Sequence, residues 1–176
     1  HMEVTYHVQV RDNNIDAVVE ADVVILAVKP QVFPSIWDNL KQNVSNKLII
    51  SIMAGITSET IASGTDLHII RVMPNTPVSI EQGVSAIIGN EYSSLAHIKW
   101  TEHFFSTLGK TVVLEKESMM DVVTAISGSG PAYIFNFAEI LIGVGNDLGI
   151  PEEITKTIVL QTIVGAGLLA IDSDKS

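Results

Sequence analysis

Short apolar runs that alternate with helical patterns fill the first two-thirds of the chain. Residues 23–28 form an uninterrupted apolar run, which is typical of a parallel strand covered on both faces. Residues 48–53 and His68–Met73 repeat the strand signal, with a short helix expected between them over Ser58–Ala62. Apolar strands separated by helices predict an α/β fold with a largely parallel sheet. Further strands are predicted over residues 8–10, 84–88 and 111–114.

Sequence patterns also indicate where the helices of this region begin and end. Asn13 or Asn14 is a suitable N-cap for a short helix, and Pro34 opens a second helix whose apolar side chains share one face. A longer helix is expected over residues 94–108, and Gly109 ends it. These helices fall between the predicted strands.

The strand pattern stops after Glu117. The middle one of the three helices predicted beyond it is apolar nearly all round, and such a helix must be buried on most sides. Three helices in one small chain cannot bury it alone, so we infer that a second subunit covers it. The chain is therefore divided into an α/β domain, residues 1–117, and a helical domain, residues 118–176. The three helices are predicted over residues 119–126, 131–148 and 151–171.

Composition excludes several classes of function. A formal net charge of −10 argues against nucleic acid or an anionic membrane as the main partner. The chain has no cysteine, which excludes disulfides, thiolate catalysis and zinc–sulfur sites, and its five histidines lack metal-ligand spacing, so no metal is expected. The apolar stretch over residues 132–150 is interrupted by Asn136 and Glu139, which favours a core or interface helix over a membrane span. No signal-peptide pattern is visible, and the expected location is the cytoplasm.

Small and turn-forming residues follow three of the predicted strands. Ligands bind outside the carboxyl ends of strands in open α/β sheets, so these positions are candidate ligand contacts. Each turn alone is also consistent with a simple strand end, and Lys29 fits a solvated loop charge better than a general base. Three strand ends directed at one crevice nevertheless favour a ligand site. The candidates are Ala27, Val28, Lys29 and Pro30 on the first of these ends, Met53, Ala54 and Gly55 on the second, and Asn75 on the third.

A second unusual stretch joins two helical patterns. Gly128 and Gly130 let the backbone approach a ligand or partner closely, and Pro131 fits the first turn of a new helix. The stretch is not a dinucleotide fingerprint, because Tyr133 stands where the third glycine belongs and a helix precedes it. Alone it indicates only a tight helix–helix junction. The junction residues are Ser127, Gly128, Ser129, Gly130 and Pro131.

Taken together and in order, these stretches resemble the pyrroline-5-carboxylate reductases. The resemblance runs from about Asp12 to the last residue. That family has an N-terminal Rossmann domain followed by a helical domain that interlocks two subunits, and it reduces a cyclic imine to L-proline by hydride transfer from NADPH or NADH. The resemblance therefore implies a partial Rossmann-type parallel sheet followed by an all-α dimerisation domain, a small-molecule substrate and a homodimer or larger homo-oligomer.

The resemblance also assigns roles to the candidate residues. Asn14 would lie near the adenosine ribose or its phosphate, and residues 27–30 would line the cofactor crevice. Residues 53–55, with Asn75, would flank the nicotinamide. Residues 127–131 would form a turn near the active site. No catalytic residue is assigned, because a protonated imine is already electrophilic and the protein mainly holds the two reactants together.

Two departures from the family pattern concern the ends of the chain. No strand–glycine-loop–helix precedes Glu3, and the family's Ser-Pro-Gly-Gly-Thr-Thr type loop would come just after Ser176. The sequence is thus expected to be a fragment, a truncated form or the ordered part of a longer chain, and inactive as it stands.

Two alternative functions stay open. One is a related Rossmann-plus-helical dehydrogenase acting on another imine or a hydroxyacid; a lysine on the middle helix would favour the hydroxyacid class, and none lies in residues 131–149. The other is a catalytically silent oligomerisation module.

Overall fold

A computed structural model describes residues 5–173, so the outermost parts of the two predicted domains, residues 1–4 and 174–176, lie outside the described residues. The chain divides into a sheet unit, which runs through Gly128, and a helical unit, which begins at Ser129. The predicted domain boundary after Glu117 stays a prediction. The strands are β1 (Val23–Leu26), β2 (Leu48–Ser51), β3 (His68–Met73), β4 (Gly83–Gly89) and β5 (Gly109–Val113). The helices are α1 (Asn14–Glu20), α2 (Phe33–Leu40), α3 (Ser58–Ala62), α4 (Leu95–Ser106), α5 (Met119–Val123), α6 (Gly130–Asp147) and α7 (Glu152–Asp172).

The five strands form one sheet in the order β1-β2-β3-β4-β5. β1, β2 and β3 run parallel, with Leu26, Ser51 and Arg71 in register across them. β4 is antiparallel to β3, and β5 is parallel to β4. The α/β fold with a largely parallel sheet is thereby confirmed, and the one antiparallel pair reverses the direction of the chain after β3.

Both faces of β2 are buried, which explains why its first three residues, Leu48, Ile49 and Ile50, are all apolar. Ile49 packs into a cluster on one face with Trp37 of α2 and Ile61 of α3. Its neighbour Ile50 packs into a second cluster with Phe105 of α4. Ile49 and Ile50 are both 0% exposed. Successive strand residues point to opposite faces, so a strand covered on both sides has no position at which a polar residue is favoured.

The strand predicted over residues 8–10 is wrong. Those residues lie outside any strand, and Val8 and Val10 are 45% and 48% exposed. The two alternating valines have the right local pattern, but a strand exists only where a neighbouring strand accepts its backbone hydrogen bonds. The predicted strands over 23–28 and 48–53 also end two residues early, at Leu26 and Ser51, where the parallel register between them ends.

The helices of the sheet unit lie where they are predicted, but α4 and α5 are shorter than predicted, and α4 runs over Leu95–Ser106 instead of residues 94–108. Ser94 caps α4 by accepting a hydrogen bond from the His97 N–H at 3.2 Å, and Gly109 begins β5 rather than only ending the helix. The helix predicted over 119–126 ends at Val123 and continues as a π-helical turn, Thr124–Gly128. The Thr124 hydroxyl donates to the Met120 carbonyl at 2.8 Å at this transition.

The helical unit is a pair of helices in contact with each other, and few of its described side chains are buried. Ala138 of α6 and Val159 and Thr155 of α7 are buried in the unit. Gly149, at φ +89°, ends α6 before Pro151 caps the next helix. Most of the apolar side chains are exposed, for example Phe135 at 65%. The apolar sequence of α6 is therefore not matched by burial within the single chain.

Candidate functional site

The carboxyl ends of β1, β2 and β3 lie side by side at one edge of the sheet. Leu26, Ser51 and Arg71 stand in register, and the Ile52 N–H donates to the Leu26 carbonyl at 3.2 Å just beyond the last pair. Residues 27–30 and 53–55 consequently leave the sheet next to each other, and Asn75 follows the neighbouring strand. The three candidate turns thus meet at the edge where open α/β sheets bind ligands.

The first turn leads from β1 into α2. Ala27 and Lys29 are exposed, whereas Val28 and Pro30 are half-buried. The Lys29 carbonyl accepts from the Val32 N–H at 2.9 Å, and the Pro30 carbonyl accepts from the Phe33 N–H at 3.3 Å. The turn is therefore held by its own backbone, and its exposed lysine is in keeping with a solvated loop charge.

The second turn combines a buried anchor with two small exposed residues. Met53 is 2% exposed, and its N–H donates to the Ser51 hydroxyl at 3.4 Å. Ala54 and Gly55 are exposed. Gly55 has φ +73°, and apart from Gly55 and its two chain neighbours no heavy atom of the described residues lies within 4 Å of the place where its Cβ would stand. A side chain here would be strained, and the absence of one leaves open space beside the strand end.

The third turn connects the sheet edge to the junction stretch. The Asn75 Oδ1 accepts from the Val84 N–H of β4 at 2.9 Å, and its Nδ2 donates to the Ser127 hydroxyl at 3.4 Å. A Cβ on Gly128 would stand 3.5 Å from Sδ of Met73, at the end of β3. The structure therefore brings Asn75 together with Ser127 and Gly128. Ser129, Gly130 and Pro131 belong to the helical unit, where Ser129 is the N-cap of α6 and Pro131 lies in its first turn.

Asn14 lies in the first turn of α1, and its neighbour Asn13 is the N-cap, accepting from the Ile15 N–H at 2.9 Å. Asn14 lines a groove of about 270 Å³ along β1. Ala27 and Val28 line the same groove. The structure thus brings Asn14 and the first turn to one groove, while Asn75 lies at the other side of the parallel strands.

Sequence reasoning missed a charged cluster beneath this edge, formed by Ser58, Arg71 and Glu117, which we call the Glu117 clamp. Nη1 of Arg71 donates to Oε1 of Glu117 at 2.9 Å. The same carboxylate accepts from the Ser58 N–H at 2.7 Å and from the Ser58 hydroxyl at 2.6 Å. The local signal was an arginine among the apolar residues of a predicted strand, since a buried charge needs a partner.

The hydrogen bonds of the clamp favour the ionised form of Glu117. Partial burial acts to raise the pKa of the Glu117 carboxyl, but the hydrogen bonds from Ser58 and the nearby Arg71 guanidinium outweigh it and hold that pKa below its usual range. Arg71 keeps only 4% of its side chain exposed and Glu117 32%. The clamp is thus a charged pair with one deeply buried member.

Two family models match the chain. The model described as pyrroline-5-carboxylate reductase dimerisation matches residues 117–176, and the model described as NADP oxidoreductase, coenzyme F420-dependent, matches residues 1–55. The pyrroline-5-carboxylate reductase of Pseudomonas aeruginosa is 36% identical over 172 residues, which are 96% of this chain and 63% of that protein. The chain therefore spans less than two-thirds of the length of this relative.

Two solved structures are similar along nearly the whole chain. The pyrroline carboxylate reductase of Plasmodium falciparum, solved with NADP bound, is 35% identical with a TM-score of 0.90, over 94% of this chain and 63% of that one. The 1-pyrroline-5-carboxylate reductase of Streptococcus pyogenes is 31% identical with a TM-score of 0.91, over 99% of this chain and 67% of that one. The sheet is thus of the Rossmann type, and the dimerisation match covers the last residues of the sheet unit, from Glu117, together with the helical unit. The chain belongs to the pyrroline-5-carboxylate reductase family.

Proposed function

We propose that the whole protein reduces 1-pyrroline-5-carboxylate to L-proline with NADPH or NADH, the last step of proline biosynthesis. The observation that carries this proposal is the meeting of three strand-end turns at one sheet edge, in a chain of this family. The NADP in the Plasmodium falciparum structure supports the choice of cofactor.

The open turn at Gly55 fits a flat ring. Ala54 and Gly55 are exposed, and the position of a Cβ on Gly55 opens into space that no described residue beyond its chain neighbours fills. In this proposal residues 53–55 and Asn75 flank the nicotinamide, residues 27–30 line the crevice, and Asn14 lies near the adenosine ribose or its phosphate. Among residues 5–173 the Asn75 amide oxygen and one of its N–H groups have hydrogen-bond partners, and in this proposal its second N–H donates to a ligand.

The chain's contribution to the reaction is positioning. Reduction adds a hydride to the imine carbon and a proton to the nitrogen, and bound NADPH or NADH supplies the hydride. The turns hold the nicotinamide and the imine in line and exclude water from one side of the nicotinamide ring. The reaction of two separate molecules thereby becomes a step within one complex. The proton comes from water or from a hydroxyl group of the protein. The residues around Ser127 lie close enough to Asn75 to form part of the substrate side.

We also propose a homodimer or larger homo-oligomer built through the helical unit. Phe137, Ile140 and Val144 of α6 are 54%, 56% and 49% exposed in the single chain. By length and composition alone α7 would also suffice to cross a membrane. The match of residues 117–176 to a dimerisation model favours a second copy as the cover for these side chains. The cytoplasm is the location that fits this proposal.

The direct test is substrate-dependent oxidation of NADPH and NADH by the whole protein. We expect turnover with 1-pyrroline-5-carboxylate and L-proline as the product. A panel of other cyclic imines and of hydroxyacids, the latter assayed in the oxidative direction, is the matched comparison. If the protein turns over a panel member but not pyrroline-5-carboxylate, the proposal is replaced by the alternative of a related dehydrogenase. If the folded oligomer turns over none of the compounds, the alternative of a catalytically silent oligomerisation module is favoured.

A further inference from the structure

Glu117 stands at the beginning of two helices at once. Its carboxylate accepts from the N–H and hydroxyl of Ser58, the first residue of α3. Its backbone carbonyl accepts from the Met120 N–H at 2.9 Å in the first turn of α5. The charged partner of that carboxylate, Arg71, lies on β3. One residue therefore connects α3, α5 and β3.

Each of these three elements leads to a candidate contact of the proposed site. Ser58 follows shortly after the turn that ends at Gly55. β3 continues from Arg71 towards Asn75, and α5 continues through the π-helical turn to Ser127. Asn75 and Ser127 are hydrogen-bonded to each other, so the two latter paths meet. The clamp therefore links the hydrogen-bonded Asn75 and Ser127 to the turn that ends at Gly55.

We propose that Glu117 is a positioning residue for the reduction. Through the clamp it fixes the Gly55 turn relative to the Asn75–Ser127 pair. The nicotinamide ring held by the Gly55 turn then faces the substrate held beside Asn75 and Ser127. This inference rests on the proposed function. In this proposal Glu117 does not contact the reactants. It acts through the turn that precedes Ser58.

The burial of Arg71 makes the arrangement stiff. Nε of Arg71 is buried and finds no hydrogen-bond partner in the part of the chain that the structure describes, so the guanidinium depends on Glu117. If Glu117 is replaced by alanine, the charge is left buried without its anion, and the chain around Ser58 and Arg71 must rearrange to solvate it. A displacement of about 1 Å at a reacting centre can lower a rate about 100-fold.

Three variants of the whole protein separate positioning from folding. Glu117→Ala removes the clamp, and Glu117→Gln keeps the shape of the side chain without its charge. Ser58→Ala keeps the ion pair and the backbone hydrogen bond but removes the hydroxyl contact. Glu115→Ala is the matched control, because Glu115 is an exposed glutamate of the same segment.

The first readout is amide hydrogen exchange without cofactor or substrate. In Glu117→Ala we expect the Ser58 amide to exchange about tenfold faster or more than in wild type, the factor that corresponds to losing one charge-assisted hydrogen bond. The amides of Ile49 and Ile50 report global opening and serve as the reference. Exchange at Ser58 that rises only as much as at Ile49 and Ile50 would overturn the clamp as a local restraint.

The second readout is the primary deuterium isotope effect on kcat, measured with cofactor deuterated at the transferred position. A misplaced ring slows hydride transfer itself, so we expect kcat of Glu117→Ala to fall about 10- to 100-fold and the isotope effect to rise. Glu117→Gln and Ser58→Ala should fall between Glu117→Ala and the unchanged Glu115→Ala. Partial unfolding alone would lower the active fraction and leave both KM and the isotope effect at their wild-type values.

The outcomes are distinguishable from failure of the proposed function. Faster local exchange together with a raised isotope effect supports the inference, and if Glu117→Ala does not fold, Ser58→Ala and Glu117→Gln must show the same pair of changes in smaller measure. An unchanged isotope effect in an active wild-type background overturns the positioning role. Wild-type protein without any turnover of pyrroline-5-carboxylate overturns the proposed function first, and the positioning role with it, whatever hydrogen exchange shows about the clamp.

Discussion

The sheet unit and the helical unit have similarly apolar sequences but opposite burial. In the sheet unit, helices cover both faces of β2, and Ile49 and Ile50 are 0% exposed. In the helical unit, Phe137 and Leu168 are 54% and 62% exposed. The first unit completes its core within one chain, whereas the second lacks cover for its apolar side chains. The difference teaches that hydrophobic sequence predicts burial, but not whether the same chain provides the cover.

The largest expected effect lies in the complete core. Ile50→Ala removes most of a fully buried side chain between β2 and α4, and should lower the free energy of unfolding by about 2–5 kcal/mol. Urea denaturation followed by circular dichroism measures this loss. Ile80→Ala, at a position 69% exposed in the same unit, is the control and should stay within about 0.5 kcal/mol of wild type. Equal losses for the two variants would break the contrast between buried core and surface.

The next largest effect is expected on self-association through the helical unit. Phe137→Asp should weaken self-association by at least about 30-fold, the factor that corresponds to about 2 kcal/mol for an interface anchor, because it places a charge on the apolar face of α6. A dilution series in the analytical ultracentrifuge measures the dissociation constant. Leu95→Asp, 66% exposed at the first residue of α4, is the matched control and should leave assembly unchanged. Assembly that responds to Leu95→Asp and not to Phe137→Asp would move the interface to the sheet unit.

A pair of glycines tests the open turn of the sheet unit. Gly55 and Gly64 both have positive φ and free space around the Cβ position. Alanine at either should cost about 1 kcal/mol of stability from backbone strain. Only Gly55→Ala should weaken NADPH binding, by about tenfold, because only Gly55 lies at the candidate cofactor edge. Titration calorimetry measures the NADPH affinity of both variants. Equal affinities would show that Gly55 is not part of the cofactor site.

The smallest expected effect is the pH dependence of the Glu117 clamp. The folded-state pKa of Glu117 is lowered, so its ionisation stabilises the fold fully above its unfolded pKa, and this stabilisation is lost as the pH falls through the lower folded pKa. The pH-dependent part should stay under about 1 kcal/mol, since the side chain is 32% exposed and screened by solvent. Subtracting the pH profile of Glu117→Gln from that of wild type isolates it, because Arg71 stays charged throughout. A difference that grows towards acid would contradict the direction of the shift.

Local signals were enough for most of the sheet unit. The bounds of β3 and α3 are the predicted ones. A run of mostly apolar residues marks β3, and Thr57, the N-cap residue, marks the beginning of α3. The strand predicted over residues 8–10 failed because its pattern is local and strand pairing is not. The antiparallel direction of β4 relative to β3 is likewise a property of the assembled sheet.

The candidate edge could be predicted from strand ends, but its connections could not. Ala27, Met53 and Asn75 follow from the rule that ligands meet the carboxyl ends of parallel strands. The Arg71–Glu117 pair joins residues 46 positions apart, and the Asn75–Ser127 hydrogen bond joins residues 52 positions apart. No periodicity in the sequence reports such contacts, so the clamp became visible only in the folded chain.

The central claim is that the sheet edge holds the hydride donor for reduction of the imine. Its most direct test supplies the whole protein with 1-pyrroline-5-carboxylate and with NADPH deuterated at the transferred position, and analyses the product by mass spectrometry. We expect L-proline that carries one deuterium on its ring, formed at a similar rate by wild type and Gly64→Ala and about tenfold more slowly by Gly55→Ala at cofactor concentrations below saturation. Unlabelled proline, no proline from a folded oligomer, or equal rates for the two glycine variants would contradict the account.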